Sequence, residues 1–162
     1  LNAHPRNIDD ARIRKLAAKG GVIQVNSVSS FLIKTPTNAE RDKAMDSFWE
    51  LIEDSADLTP ERQREAMRRY HEIEKQYPLP MATFADYMKH MLHIIKVAGP
   101  EHVGLGADWD GGGGVKGMED IASLPKITER LVQEGYSEAQ IDGILGGNLL
   151  RLMRQVEAAA GH

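Results

Sequence analysis

Apolar positions recur along this chain at two spacings, one helical and one extended. The clearest helical run is Phe84, Tyr87, Met88, Met91, Leu92, Ile94 and Ile95. Thr83 stands where an N-cap belongs, and Gly99-Pro100 ends the run. A helix over Ala39 to Ser55 carries Ala44, Met45, Phe48, Leu51 and Ile52 on one side. The next is opened by Thr59-Pro60 and reaches about Gln76. Its stripe is thin, Ala66, Met67, Tyr70 and Ile73, so most of that helix is expected to face water. Near the start, Asp9 and Asp10 open a helix that runs to about Lys19 and stops at Gly20-Gly21. Ile8, Ile13, Leu16 and Ala17 lie roughly on one side of it. Late in the chain, Leu124 to Glu134 reads as a helix with Pro125 in its first turn. Ser137 and Gln140 form a capping-box pattern for a helix to about Leu145, and Asn148 is expected to cap a last one over Leu149 to Ala159.

Two short runs are strand-like instead. One is Val22 to Val28, rich in β-branched residues; the other is Val103, Leu105 and Ala107, punctuated by glycine. Ser29 to Asn38 reads as a polar loop, and Tyr77 to Met81, with two prolines, as a linker. The resulting order is helix, strand, helices, strand, helices, which is a parallel α/β pattern. Two parallel strands need neighbours on both sides. The chain is therefore expected to be part of a larger fold or to pair with something else. The helices between about 36 and 77 read as an insertion on the outside of the core.

Composition narrows the class. The 162 residues are 41% apolar and 27% charged, enough for one domain with a real core. A net charge of −4 with no basic block argues against nucleic acid as a partner. No cysteine is present, which excludes disulfides and thiolate metal sites. No apolar run approaches the roughly 18 residues a membrane span needs. Leu1-Asn2-Ala3-His4-Pro5 has neither an initiator Met nor signal-peptide character. The expectation is a chain entered partway through a longer one, with its compartment unassigned.

Candidate chemistry gathers after the second strand. Asp108 and Asp110 flank Trp109, and alternation along an extended segment sends both acids to one side. Two neighbouring acids can divide the roles of acid and base. Asp110, before glycine, also reads as a plain turn residue, and Asp108 is the better functional candidate. Gly111 to Gly114 suits an anion nest or a lid but lacks the lysine and hydroxyl of a phosphate loop. Arg6 could clamp a carboxylate bidentately, or simply pair with Asp9 or Asp10. His90 and His93 share a helix at i, i+3, but the sequence suggests no carboxylate beside them for a metal. His102, ahead of the strand, reads as structural, and His71 and His162 as solvated or terminal.

Several segments align together with one family. His4-Pro5-Arg6-Asn7-Ile8, Gly21 to Asn26, His90 to Gly99, His102 to Gly111, and Gly147-Asn148-Leu149-Leu150-Arg151 occur in this order. The chain closely resembles the membrane dipeptidase family, peptidase M19, in a bacterial-type form, except over the inserted helices. The resemblance implies the C-terminal portion of a (β/α)₈ TIM barrel of the metal-dependent amidohydrolase type. It spans 1–162 as part of one domain, with a helical insertion at about 36–77. It implies a metallo-dipeptidase that uses two zinc ions, whose ligands are expected on earlier strands and not in this chain. It implies Arg6 as the residue that binds the substrate's C-terminal carboxylate and Asp108 as the catalytic acid. The expected partners are a dipeptide substrate and the remainder of the barrel or another copy of the chain, as in a homodimer. On this reading the chain alone is inactive; the rival is a non-catalytic module derived from such a barrel.

Overall fold

The structure, a computed structural model, describes residues 1–53 and 59–161, and the backbone but not the side chain of Glu53. It is helix-rich α/β and divides into two compact units, Leu1–Lys34 with Met81–His162, and Thr35–Pro80.

In the first unit, α1 (Asp10–Ala18) is capped by Asp9, whose carboxylate accepts the Arg12 amide, as the acid pair predicts. Of its expected apolar side only Ile13 is fully buried, and Ile8 is exposed. Strand β1 (Ile23–Val25) follows, shorter than the run from Val22 to Val28 suggests. It pairs in parallel with β2 (Val103–Leu105) in the register Ile23–Val103, Gln24–Gly104, Val25–Leu105. These are the only two strands of a sheet among the described residues.

The segment after β1, expected as loop throughout, turns helical over α2 (Ser29–Leu32) and buries Leu32. The long α5 (Phe84–Ala98) buries Tyr87, Met88, Met91 and Ile95 on the stripe its spacing predicts. Its start is fixed by a capping box: the Thr83 hydroxyl accepts the Asp86 amide while the Asp86 carboxylate accepts the Thr83 amide. The Thr83 hydroxyl also donates to that carboxylate at 2.7 Å, and this bond, with the one from the Thr83 amide, holds the Asp86 carboxyl below its ordinary range. Buried deeply, the Tyr87 hydroxyl is pushed up, stays protonated, and donates to the Val25 carbonyl of β1 at 3.3 Å.

Helices α6 (Leu124–Gln133) and α7 (Glu138–Asp142) close the core with Ile127, Leu131 and Ile141. The capping box of Ser137 and Gln140 forms as read. Asn148 does not cap the last helix. A wide turn over Gly143–Gly147 kinks at Gly146 (φ 167°, ψ −26°) and leads into α8 (Asn148–Ala160), with Asn148 as its first residue. The buried Asn148 amide instead donates to the carbonyls of Pro100 and Val103, each at 2.8 Å. That satisfies two carbonyls at the entry to β2.

The second unit is a helical pair, α3 (Ala39–Glu53) and α4 (Pro60–Gln76). Residues 54 and 55, the expected end of the first helix, lie outside the described residues. Phe48, Ala66 and Ile73 are its buried centre. Leu51 and Met67, placed on the apolar stripes by spacing, are exposed. Arg41 is buried and bridges the pair, donating to Glu74 and to the Tyr77 carbonyl.

Candidate active site

Because β1 and β2 are parallel, their C-terminal ends lie side by side, where open α/β sheets place ligands. Asn26-Ser27 leaves β1, and Gly106-Ala107-Asp108 leaves β2. The two exits stay tied. Gly106 donates to the Val25 carbonyl at 3.2 Å, and Ser27 donates from its amide to the Ala107 carbonyl at 3.3 Å. The fully buried Ser27 hydroxyl also donates to that carbonyl. Gly106 is required by this closeness, since a Cβ there would sit 2.8 Å from the Cβ of Gln24.

Asp108 then takes φ 65°, ψ 37°, the single left-handed non-glycine residue among those described. For an L-residue that costs roughly 1–2 kcal/mol, least for Asp and Asn. Its carbonyl is held by two amides, Gly111 at 3.0 Å and Gly113 at 2.7 Å. The left-handed turn breaks the alternation that would set Asp108 and Asp110 on one side of a strand. Asp110 lies instead within a 3₁₀ turn over Trp109–Gly111. The exposed Asp108 carboxylate accepts from Asn26 Nδ2 at 3.1 Å. The Gly114 amide donates to Ser27 Oγ at 2.8 Å. Three amides of the glycine run are thus engaged within the protein rather than aimed at an anion.

Arg6 is presented by a short segment pinned from both sides. Asn2 Nδ2 donates to the carbonyls of Ser30 and Ile33 at 2.9 and 3.0 Å. Asn7 Nδ2 donates to those of Asn2 and Phe31 at 3.0 and 2.8 Å. The His4 ring lies 4.7 Å from that of Phe31. The alternative pairing of Arg6 with Asp9 or Asp10 is not what forms. Asp9 pairs with Arg12 at 2.9 Å, and Asp10 with His93 at 2.8 Å and Arg14 at 3.9 Å.

A cavity of about 730 Å³ joins these parts. Arg6, Gln24, Asn26 and Phe31 line it, as do His90 and His93. Arg6 and Asn26 thus border one space, and Asn26 holds Asp108. Sequence reasoning missed Asn26, Ser27 and Phe31. Two polar residues directly after a strand that runs parallel to the one ending in Asp108 were the available signal.

The two helix histidines are engaged separately. His90 Nε2 lies 2.9 Å from the Leu32 carbonyl, which can only accept, so that nitrogen carries the proton. Burial holds the His90 pKa below its ordinary value. His93 meets the Asp10 carboxylate, a partner 83 positions away that the sequence did not suggest. That hydrogen bond holds the Asp10 carboxyl below its usual range. Among the described residues no group of three or more His, Asp or Glu could hold a metal ion. His102 Nδ1 binds the Gly21 carbonyl at 2.8 Å, at the end of the strands away from Asp108, in keeping with a structural role. His71 is exposed, and His162 lies outside the described residues. No helix among the described residues is long and apolar enough to cross a membrane.

The chain is similar to a known protein family and to individual dipeptidases. The family model described as membrane dipeptidase (peptidase family M19) matches residues 1–162. An uncharacterized dipeptidase of Schizosaccharomyces pombe is 33% identical over 162 residues, which cover 99% of this chain and 29% of that protein. Dipeptidase 3 of Rattus norvegicus is 42% identical over 78 residues, 48% of this chain and 15% of that one. Among solved structures, the probable dipeptidase PvdM from Pseudomonas aeruginosa is similar at a TM-score of 0.63 and 25% identity. The match covers 92% of this chain and 40% of that one. The chain therefore spans less than a third of the yeast relative's length.

Proposed function

The chain belongs to the membrane dipeptidase family, peptidase family M19, and on that premise we propose that it is the C-terminal part of a (β/α)₈ dipeptidase barrel. In this reading residues 1–162 belong to one domain, with 36–77 a helical insertion. The remaining strands come from the rest of a longer polypeptide or from another copy of the chain. The reaction is hydrolysis of a dipeptide, and this chain supplies Arg6 and Asp108 to it.

One observation carries the reading. Arg6 and Asn26 border the same cavity, and Asn26 hydrogen-bonds Asp108. A guanidinium and a carboxylate are thereby linked to one rim at the C-terminal end of parallel strands. Arg6 pairs with the substrate's terminal carboxylate through two parallel N–H···O contacts and fixes its length. Asp108 takes a proton as water adds to the scissile carbonyl carbon. It returns that proton to the amide nitrogen as the C–N bond breaks. The two zinc ions implied by the family find no fitting ligand set among the described residues. Each helix histidine already has its Nε2 engaged, so no step is assigned to a metal here.

The test is dipeptide hydrolysis by the longest natural polypeptide that carries this sequence. Asp108→Asn lowers kcat by at least about a hundredfold, the scale of general acid–base catalysis. Arg6→Ala chiefly raises KM. Near-normal kcat in the first variant, or an unchanged KM in the second, overturns the corresponding role.

A further inference from the structure

We infer that Asn26 is the positioning residue for Asp108, an assignment that rests on the catalytic reading of Asp108 above. The orientation of its amide is not arbitrary. The Val28 backbone N–H can only donate, and it reaches Asn26 Oδ1 at 2.7 Å. The other end of the amide, Nδ2, must then be the NH₂ group, and it is this end that meets Asp108 Oδ2 at 3.1 Å. One short side chain thus reads the backbone just beyond β1 and grips the acid that leaves β2. The contact crosses 82 positions of sequence.

Asp108 needs such a grip. Its carboxylate is exposed on a left-handed turn, where a side chain has several rotamers open to it. The backbone of the turn is already fixed from below by Ser27, through its contacts with the Ala107 carbonyl and the Gly114 amide. That leaves the side-chain torsions, which Asn26 restrains through one carboxylate oxygen. The second oxygen, Oδ1, is turned toward Gly111, where a Cβ would collide with it. Glycine at 111 and the amide at 26 therefore confine the same carboxylate from two sides.

Two substitutions separate positioning from loop structure. Asn26→Asp keeps an acceptor for the Val28 N–H and removes the donor to Asp108. Asn26→Ala removes both. In the longest natural polypeptide carrying this sequence, positioning predicts that both variants lower kcat roughly 10- to 100-fold, the cost of an acid misplaced by about an ångström. KM for the dipeptide stays within about twofold, because Arg6 is untouched. Adding Asn26→Ala to Asp108→Asn lowers kcat no further than Asp108→Asn does alone, as expected for two groups that act as one unit.

A wild-type kcat in Asn26→Asp, or full additivity in the double variant, overturns the inference while leaving Asp108 in its role. Normal turnover in Asp108→Asn overturns the catalytic reading instead. A readout independent of turnover is the side-chain NH₂ pair of Asn26 in ¹H–¹⁵N NMR spectra. One proton lies downfield in the unmodified protein and moves upfield in Asp108→Ala; resonances that do not move in that variant overturn the contact itself.

Discussion

The guanidinium carbon of Arg6 stands 5.6 Å from the centre of the Phe31 ring. That is within the range in which a cation is attracted to an aromatic face, worth about 0.5–1 kcal/mol at an exposed site. Phe31 belongs to α2, the short helix absent from the sequence reading, so the aromatic support of Arg6 comes from an element that periodicity could not reveal. Phe31→Leu keeps apolar bulk and removes the quadrupole. In dipeptide hydrolysis it raises KM roughly two- to fivefold, the same energy expressed as affinity, and leaves kcat unchanged. Steady-state kinetics with the two parameters separated checks it. A fall in kcat at constant KM would count against Phe31 acting through Arg6.

The four consecutive glycines are not interchangeable. A Cβ on Gly113 would be driven into the carbonyl oxygens of Ala107 and Asp108, which are backbone atoms with little room to yield. Gly112 has open space around it but sits at φ +94°. Gly113→Ala is therefore expected to destabilise by about 1–3 kcal/mol or more, as overpacking does. Gly112→Ala bears only the left-handed penalty, about 1–2 kcal/mol. Urea denaturation of the two variants gives the order; equal midpoints would mean that the wrap around Asp108 is loose.

Stability should fall on acidification in two separate windows. Burial depresses the His90 pKa in the fold, so the unfolded chain binds the proton more readily. The contribution of His90 is complete above its ordinary value of 6.5 and is lost as pH drops below that value through the folded pKa. Asp10 is also depressed, by its hydrogen bond to His93, and its contribution disappears only below its ordinary value of 3.8. His90→Gln should flatten the upper window and leave the lower one. Thermal melts from pH 7.5 to pH 3 distinguish this from a single carboxylate-driven transition.

Local chemistry was legible in the chain and distant chemistry was not. Thr83 and the Ser137–Gln140 pair announce helix starts because a cap is satisfied within three residues. The stripe of α5 is legible for the same reason: helical spacing is a local property. Asn148 misled, since an asparagine before an apolar run reads as a cap, whereas its amide serves carbonyls 45 and 48 positions away. Asp108 was singled out by its place at a strand end, and it does follow β2. Its left-handed turn depends on glycine amides that fold back on it, so the assumption of alternation failed. The contacts of His93 with Asp10 and of Asn26 with Asp108 join residues more than 80 apart. No spacing rule connects them: the first pair meets because α1 packs on α5, and the second because β1 and β2 end side by side.

The wide separation of those two strands also bears on how the molecule assembles. Ser27 must find Ala107 across 80 positions before either strand gains its partner. Closing so large a loop precedes any reward from pairing, and parallel sheets of this kind form slowly. During synthesis at roughly 5–20 residues per second, the β1 segment would wait several seconds without its mate. Through that interval α1 and the helical pair over 39–76 can already condense on local contacts. The order of events on the ribosome would then put α1 and the helical pair ahead of strand pairing, with the rim that carries Asp108 completed only once β2 and the glycine run behind it have emerged.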